Sequence, residues 1–219
     1  GWTKHTIDNG VAHDVFIGDL DNDGDLDVVK RHQGGMGDKI RIFRQDGVDS
    51  WTQRVLEAPD GEGILLADID IDGDLDIIIG GAWYENSGSI IDGDWPVHSF
   101  AEWASDAVVE VADINEDGRL DVVLTRSEGA SYGLSWFEGP ADPKSGSWTE
   151  HEVISSWDYA HAVFARDMDN DGDLDIISAE MHQSNQDRVA VFLNDGNGLS
   201  WTPQILSTEA SHNIQVGDI

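Results

Sequence analysis

An all-β fold, a β-propeller built from four-stranded antiparallel blades, is predicted by three observations in this 219-residue chain. First, a nine-residue acidic loop of the type Asp-x-Asp-x-Asp-Gly-x-x-Asp occurs four times, once with Asn in place of the second Asp, and a fifth copy begins at Asp218. Second, the leading Asp of each copy falls at 19, 68, 113, 167 and 218, giving spacings of 49, 45, 54 and 51 residues, close to the period of roughly 40–50 residues that marks a propeller blade. Third, Trp2, Trp51, Trp95, Trp148 and Trp201 precede the next leading Asp by 17, 17, 18, 19 and 17 residues. Two markers of different chemistry thus keep one register.

Each unit parses into four short strands separated by turn residues. In the first unit these are His13–Gly18, Leu26–Lys30, Lys39–Arg44 and Trp51–Leu56. The first two strands of a unit read as nearly unbroken apolar runs, as in Val15-Phe16-Ile17, Ile64-Leu65-Leu66 and Ile77-Ile78-Ile79. Such runs suit strands covered on both faces by neighbouring sheets. The links 33–37, Asn86–Gly88 and Asn194–Gly198 carry the Gly and Asn of hairpin turns. The chain accordingly divides into an outer strand within 1–8, blades at 9–57, 58–101, 102–155 and 156–207, and the first strand of a further blade at 208–219. Four blades with flanking strands leave the ring of blades open. A larger parent protein or intermolecular completion is therefore expected.

Composition excludes several functions. Asp and Glu number 44 against 12 Lys and Arg, a formal net charge of −32, which repels nucleic acid and anionic membrane surfaces alike. Nine Trp and many short aliphatic runs contradict the low hydrophobicity of disordered acidic chains. No apolar run approaches the ~18 residues of a membrane span, and no membrane insertion is expected. The lack of Cys leaves the redox compartment open. An opening at Gly1 without Met reads as a processed or excised piece of an exported protein.

The acid is concentrated in the four complete loops, which hold 19 of the 44 carboxylates. In Asp19, Asp21, Asp23, Asp25 and Asp27, the side chains at positions 1, 3, 5 and 9 can converge on one ion while position 7 offers its carbonyl. Gly24 permits the sharp turn. All-oxygen ligation selects Ca²⁺. Asp68, Asp70, Asp72, Asp74 and Asp76 repeat the pattern, as do Asp167, Asp169, Asp171, Asp173 and Asp175. The third loop has Asp113, Asn115, Asp117, Arg119 and Asp121; with one carboxylate fewer it is expected to bind more weakly. About four Ca²⁺ ions are expected, one per complete blade. An EF-hand fits poorly, because its loop has about 12 residues, ends in Glu and joins helices.

With these loops and strands such as Ala160-His161-Ala162-Val163-Phe164-Ala165-Arg166-Asp167, the chain resembles the FG-GAP/VCBS-repeat calcium-binding propellers. These blades occur in integrin α heads, some lectins and secreted bacterial proteins, including propeller polysaccharide lyases. The Phe-Gly and Gly-Ala-Pro signatures of the integrin version are absent, whereas Trp136-Phe137-Glu138-Gly139-Pro140 and Trp148-Thr149-Glu150-His151 resemble secreted bacterial versions. The resemblance implies an extracellular or cell-surface location.

If strand 1 runs toward the acidic loop, the starts of the first strands and the 2–3 connections share the opposite face. Six residues before each leading Asp stand His13, Glu62, Ala107, His161 and His212; ten before it stand Trp103 and Trp157 in two units. The 2–3 connections add Arg31, His32, Arg126, Glu128, Glu180 and His182. Aromatic platforms among His, Arg and carboxylates suit a polar ligand such as a sugar. His13, His161, His182, His212, Trp103, Trp157 and Arg126 are the candidate ligand residues. The His and Trp residues can equally serve packing, and the five in-register Trp residues read as inter-blade packing. His5, His98 and His151 recur on strand 4 as surface or sheet-pair residues.

Three functions compete on these residues. The leading one is an extracellular calcium-stabilised module for binding a glycan or protein. A polysaccharide lyase is the alternative, with His161, His182 or Tyr159 as base and Arg126 or Arg31 neutralising a uronate; the negative charge disfavours it, and no spacing assembles a base–acid pair. A fibre or ring subunit completed through its terminal strands is the third.

Overall fold

The computed structural model describes residues 4–32 and 39–217. Within them every regular element is a strand, and no helix is long and apolar enough to cross a membrane. Strands β1 (Asp14–Gly18), β2 (Asp27–Arg31), β3 (Lys39–Gly47) and β4 (Ser50–Glu57) form the first sheet. The second has β5 (Leu65–Ala67), β6 (Asp76–Ile79), β7 (Ala82–Tyr84) and β8 (Val97–Ser99). The third has β9 (Ala107–Ala112), β10 (Asp121–Arg126), β11 (Leu134–Glu138) and β12 (Thr149–Ile154). The fourth has β13 (Ala160–Arg166), β14 (Asp175–Glu180), β15 (Val189–Asn194) and β16 (Trp201–Ser207). Each sheet is an antiparallel meander in chain order: four β-propeller blades.

The apolar runs do what two-sided burial demands. On β6, Ile77 and Ile79 pack toward the first blade with Val29, Ile40 and Ile42, while Ile78 between them packs toward the third with Val109, Val122 and Phe137. Trp83 and Tyr84 on β7 divide in the same way. A third core joins Val123, Leu134 and Trp136 of the third blade to Val163, Ile176 and Phe192 of the fourth. Alternate side chains of one strand thus enter different cores, so the hydrophobic driving force holds neighbouring blades together rather than any blade alone.

The in-register Trp51, Trp95, Trp148 and Trp201 are half-buried, and the last three pack on those inter-blade cores. Trp2, the 33–37 turn and the fifth loop beginning at Asp218 lie outside the described residues. Of the outer strand expected within 1–8 and the further strand expected at 208–219, the described residues 4–8 and 208–217 carry no strand. Neither segment has a sheet ladder to pair with among the described residues, and an unpaired segment gains no strand hydrogen bonds.

Candidate functional site: acidic loops at one end, a polar axial cavity at the other

Register places the two ends. The pairs Gly18↔Asp27, Ala67↔Asp76, Ala112↔Asp121 and Arg166↔Asp175 close the first hairpins at the acidic loops. Asp14↔Arg31, Ala107↔Arg126 and Ala160↔Glu180 mark the other end.

The four acidic loops share one backbone path. Position 4 is left-handed in all of them, at Asn22 (φ 57°), Ile71 (60°), Glu116 (58°) and Asn170 (64°), and the Gly at position 6 has φ between 85° and 107°. The position-1 carboxylate clamps this turn: Asp23 and Gly24 N–H donate to the two oxygens of Asp19 at 3.1 and 2.9 Å. Asp68 and Asp113 do likewise, whereas Asp167 accepts from Asn170 N–H at position 4 and from Gly172 N–H, at 2.8 and 3.2 Å. Position 7 donates its N–H to the position-5 carboxylate in every loop.

Position 9 is buried in every loop. Its two oxygens accept backbone N–H groups from position 2 and from the third strand's end: Leu20 and Gln45 on Asp27, Ile69 and Asn86 on Asp76, Ile114 and Gly139 on Asp121, Met168 and Asn194 on Asp175. This carboxylate is a buckle between hairpins as well as a candidate ligand. Burial pushes Asp76 up to about 7 and Asp121 up to about 6, and moves Asp27 and Asp175 the same way.

The residues fit a hard cation. Ligand atoms of Asp19, Asp21 and Asp27, of Asp68, Asp70 and Asp76, and of Asp167, Asp169 and Asp175 lie within 4.8 Å of one another. Buried Asp21 Oδ1 accepts no hydrogen bond and Asp70 Oδ2 is met by Lys144 Nζ at 2.6 Å, so both carboxylates keep lone pairs facing a cluster of like charge. A Ca²⁺ ion would satisfy both. In the third loop Asn115 accepts from Asp117 N–H at 3.1 Å, as Asp70 does from Asp72 at 3.2 Å, so the amide keeps the carboxylate's place. Asp74 accepts a hydrogen bond from Asn22 at 2.7 Å, and Arg119 reaches Asp117, Glu138 and the Gly139 carbonyl. Neither side chain enters an acidic group.

Two features here were not foreseen. Asn86 donates to the Leu20 carbonyl in the first blade's loop at 2.8 Å and to Leu75 O at 3.2 Å; Asn194 bridges Ile114 O and Leu174 O at 3.1 and 3.2 Å. These asparagines begin the turns read as simple hairpins, and they staple one blade's loop to the preceding blade's. Lys144, from the third blade, places Nζ 2.6 Å from Asp70 Oδ2, 2.7 Å from Glu85 Oε1 and 3.8 Å from Asp72 Oδ2. Its contact with Asp70 and then Glu85 raises its pKa further.

At the opposite end the first strands enclose an axial cavity of about 640 Å³ lined by His13, Glu62, Ala107, His161 and His212, the residues in register six positions before each leading Asp. His161 is tilted against His212 at 4.3 Å between ring centroids and lies 6.2 Å from His13. Trp103 is 36% exposed, with the Arg31 guanidinium 5.2 Å from its ring centroid. Arg126 lies 4.2 Å over Tyr132 beside a smaller inter-blade groove of about 220 Å³, which also holds Glu102, Ser135, Phe137 and Glu150. His182 is exposed in the 2–3 turn of the fourth blade, outside both cavities.

Trp157 is corrected. It is fully buried, edge-on to Phe192, with its indole N–H donating to Ser178 at 2.8 Å and Arg188 stacked 4.4 Å over its ring; it has no face left for a ligand. Arg188 in turn pairs in bidentate fashion with Glu180, which is wholly buried, at 2.6 and 3.0 Å. His98 and His151 stack on Trp83 and Trp136 and contact Glu85 and Glu138 at 2.8 and 3.0 Å, which makes them sheet-pair residues.

Four-stranded blades, shared acidic loops and an axial cavity define a β-propeller repeat protein. The family model for the FG-GAP-like repeat matches residues 113–178 and 167–219, which carry FG-GAP repeats. In fold it is similar to a lectin from Agrocybe aegerita, described for specific recognition of non-reducing terminal N-acetylglucosamine. The two are 21% identical with a TM-score of 0.55, over 89% of this chain and 52% of the lectin. The chain therefore spans about half the length of that lectin. No curated protein matches the chain.

Proposed function

We propose that the chain is a calcium-stabilised propeller module of an extracellular protein that binds glycans at the end opposite its acidic loops. The groove between the second and third blades carries this reading. Tyr132 is 38% exposed there and is fixed by Arg126, while Ser135 donates to Glu150 at 2.8 Å and Glu102 lines the same space. A partly exposed ring beside fixed donors and acceptors matches the apolar face and hydroxyls of a sugar. The fold likeness to a lectin described for N-acetylglucosamine recognition supports testing that sugar first.

Calcium enters through the three acidic groups and the orphaned Oδ1 of Asp21, with position 7 contributing its carbonyl. One ion in each of the four loops is expected. A glycan array, followed by calorimetry on hits, tests the module. Binding by the folded protein that falls at least tenfold in Tyr132→Ala at unchanged melting temperature supports the groove; silence across the array, or a Tyr132→Ala protein that binds as well, removes it.

A further inference from the structure

We propose that the top of the axial cavity is a second, chemically different metal site, for Zn²⁺ or a similar borderline divalent ion, held by Glu62, Glu128 and His161. Ligand atoms of these three lie within 4.8 Å of one another. His161 Nε2 is 3.3 Å from Glu128 Oε1 and 3.8 Å from Glu62 Oε1. Ligands about 2.0–2.1 Å from a tetrahedral ion stand about 3.4 Å apart, so this spacing suits a shared ion. The His161–Glu128 contact also meets hydrogen-bond geometry, but one imidazole nitrogen cannot serve both carboxylates.

Glu62 provides the independent observation. Its side chain is 2% exposed, and its Oε2 meets His13 Nε2 at 2.9 Å without hydrogen-bond geometry. An unsatisfied buried carboxylate oxygen is costly. The backbone nevertheless fixes it there. Glu62 N–H donates to Ser105 O at 2.8 Å, and Gly63, at φ +78°, lies so close that a Cβ would meet the Ala107 carbonyl at 1.8 Å. Ser127 binds the other carboxylate oxygen. A buried carboxylate held at the mouth of a cavity, with one oxygen short of a hydrogen bond, suits a cation.

The donor set distinguishes this site from the acidic loops. Imidazole nitrogen with two carboxylates favours Zn²⁺ and its neighbours over Ca²⁺. Three protein ligands leave one position open toward the cavity, where His13 and His212 flank it. The site arises because equivalent positions of different blades carry different residues: Glu62 and His161 come from the repeat register, while at Ala107 the third blade instead supplies Glu128 and Ser127 from its 2–3 connection.

The test is calorimetric titration of Zn²⁺ into protein kept saturated with Ca²⁺, which blocks the acidic loops. One equivalent should bind, and binding should weaken at least tenfold in both His161→Ala and Glu128→Gln while His182→Ala leaves it unchanged. Glu128 is 38% exposed, so its substitution keeps the fold even if His161→Ala does not. Substitution by Co²⁺ should give the strong visible absorption of a tetrahedral site, lost in Glu128→Gln. Failure of the wild-type protein to take up a stoichiometric Zn²⁺, or retention of binding by Glu128→Gln, overturns the site.

Discussion

The two ends of the first strands obey opposite rules. At the acidic end, four copies repeat the same φ pattern and the same carboxylate-to-backbone hydrogen bonds. At the other end, the positions in register are His, Glu, Ala and His, and each is held by partners that occur once. Repetition is what a structural device needs, because every blade meets the same closing problem. Variation is what recognition needs, because a ligand does not share the pseudo-symmetry of the blades.

Calcium removal breaks this comparison most severely. Each site occupied at 100-fold over its Kd contributes about 2.7 kcal/mol. Losing even two lowers the melting temperature of a protein this size by about 10–20 °C. Thermal unfolding with and without EDTA measures it, and an unchanged transition would remove calcium from the structural role. The binding face should fail as a consequence, since the loops fix the far ends of the strands that carry it.

The other end has its own weak point. Arg188→Ala strips a wholly buried carboxylate, Glu180, of its bidentate partner and removes the cation stacked on Trp157. Breaking a buried pair on one side costs about 3–5 kcal/mol. Denaturant unfolding in saturating Ca²⁺ should show that loss, with part of it recovered in Glu180→Leu/Arg188→Met. A loss below ~1 kcal/mol would show that this end is not held by its single-copy contacts.

What was legible in the sequence follows the same division. The acidic loop packs its whole chemistry into nine consecutive residues and recurs in register, so blade and hairpin positions could be read directly. The axial histidines were legible for the same reason: a fixed offset from the loop projects them onto one axis. Trp157 misled because its offset matched that of Trp103, and an offset does not reveal which side of a strand start faces the next blade. The Asn86 and Asn194 staples, the Arg188–Glu180 pair and the role of Glu128 stayed hidden. Their partners are separated by loops of irregular length, and in Asn86's case by 66 residues.

A smaller effect separates the loops from one another. Ile71 occupies the left-handed position taken by Asn in the first and fourth loops, and its side chain is 65% exposed. A β-branched residue there is strained by about 1–2 kcal/mol, whereas Asn tolerates the conformation. Ile71→Asn should therefore stabilise the protein by about 1 kcal/mol, a rise of about 2–4 °C in melting temperature. No rise would mean that the loop relaxes around isoleucine.

The smallest expected effect is the most discriminating. Lys144 Nζ already sits where a cation belongs, 2.6 Å from Asp70 Oδ2. Without calcium it partly neutralises the second loop; with calcium it competes for Asp70 and adds like charge beside the ion. Lys144→Met should thus have opposite signs in the two states. In EDTA the loss of a partly exposed ion pair should destabilise by about 0.5 kcal/mol. In Ca²⁺ the second site should tighten, and the protein should melt higher than its parent. The same sign in both states would mean that Lys144 only staples the third blade to the second through Glu85 and the His98 contact to its backbone carbonyl, leaving the second loop no different from the others.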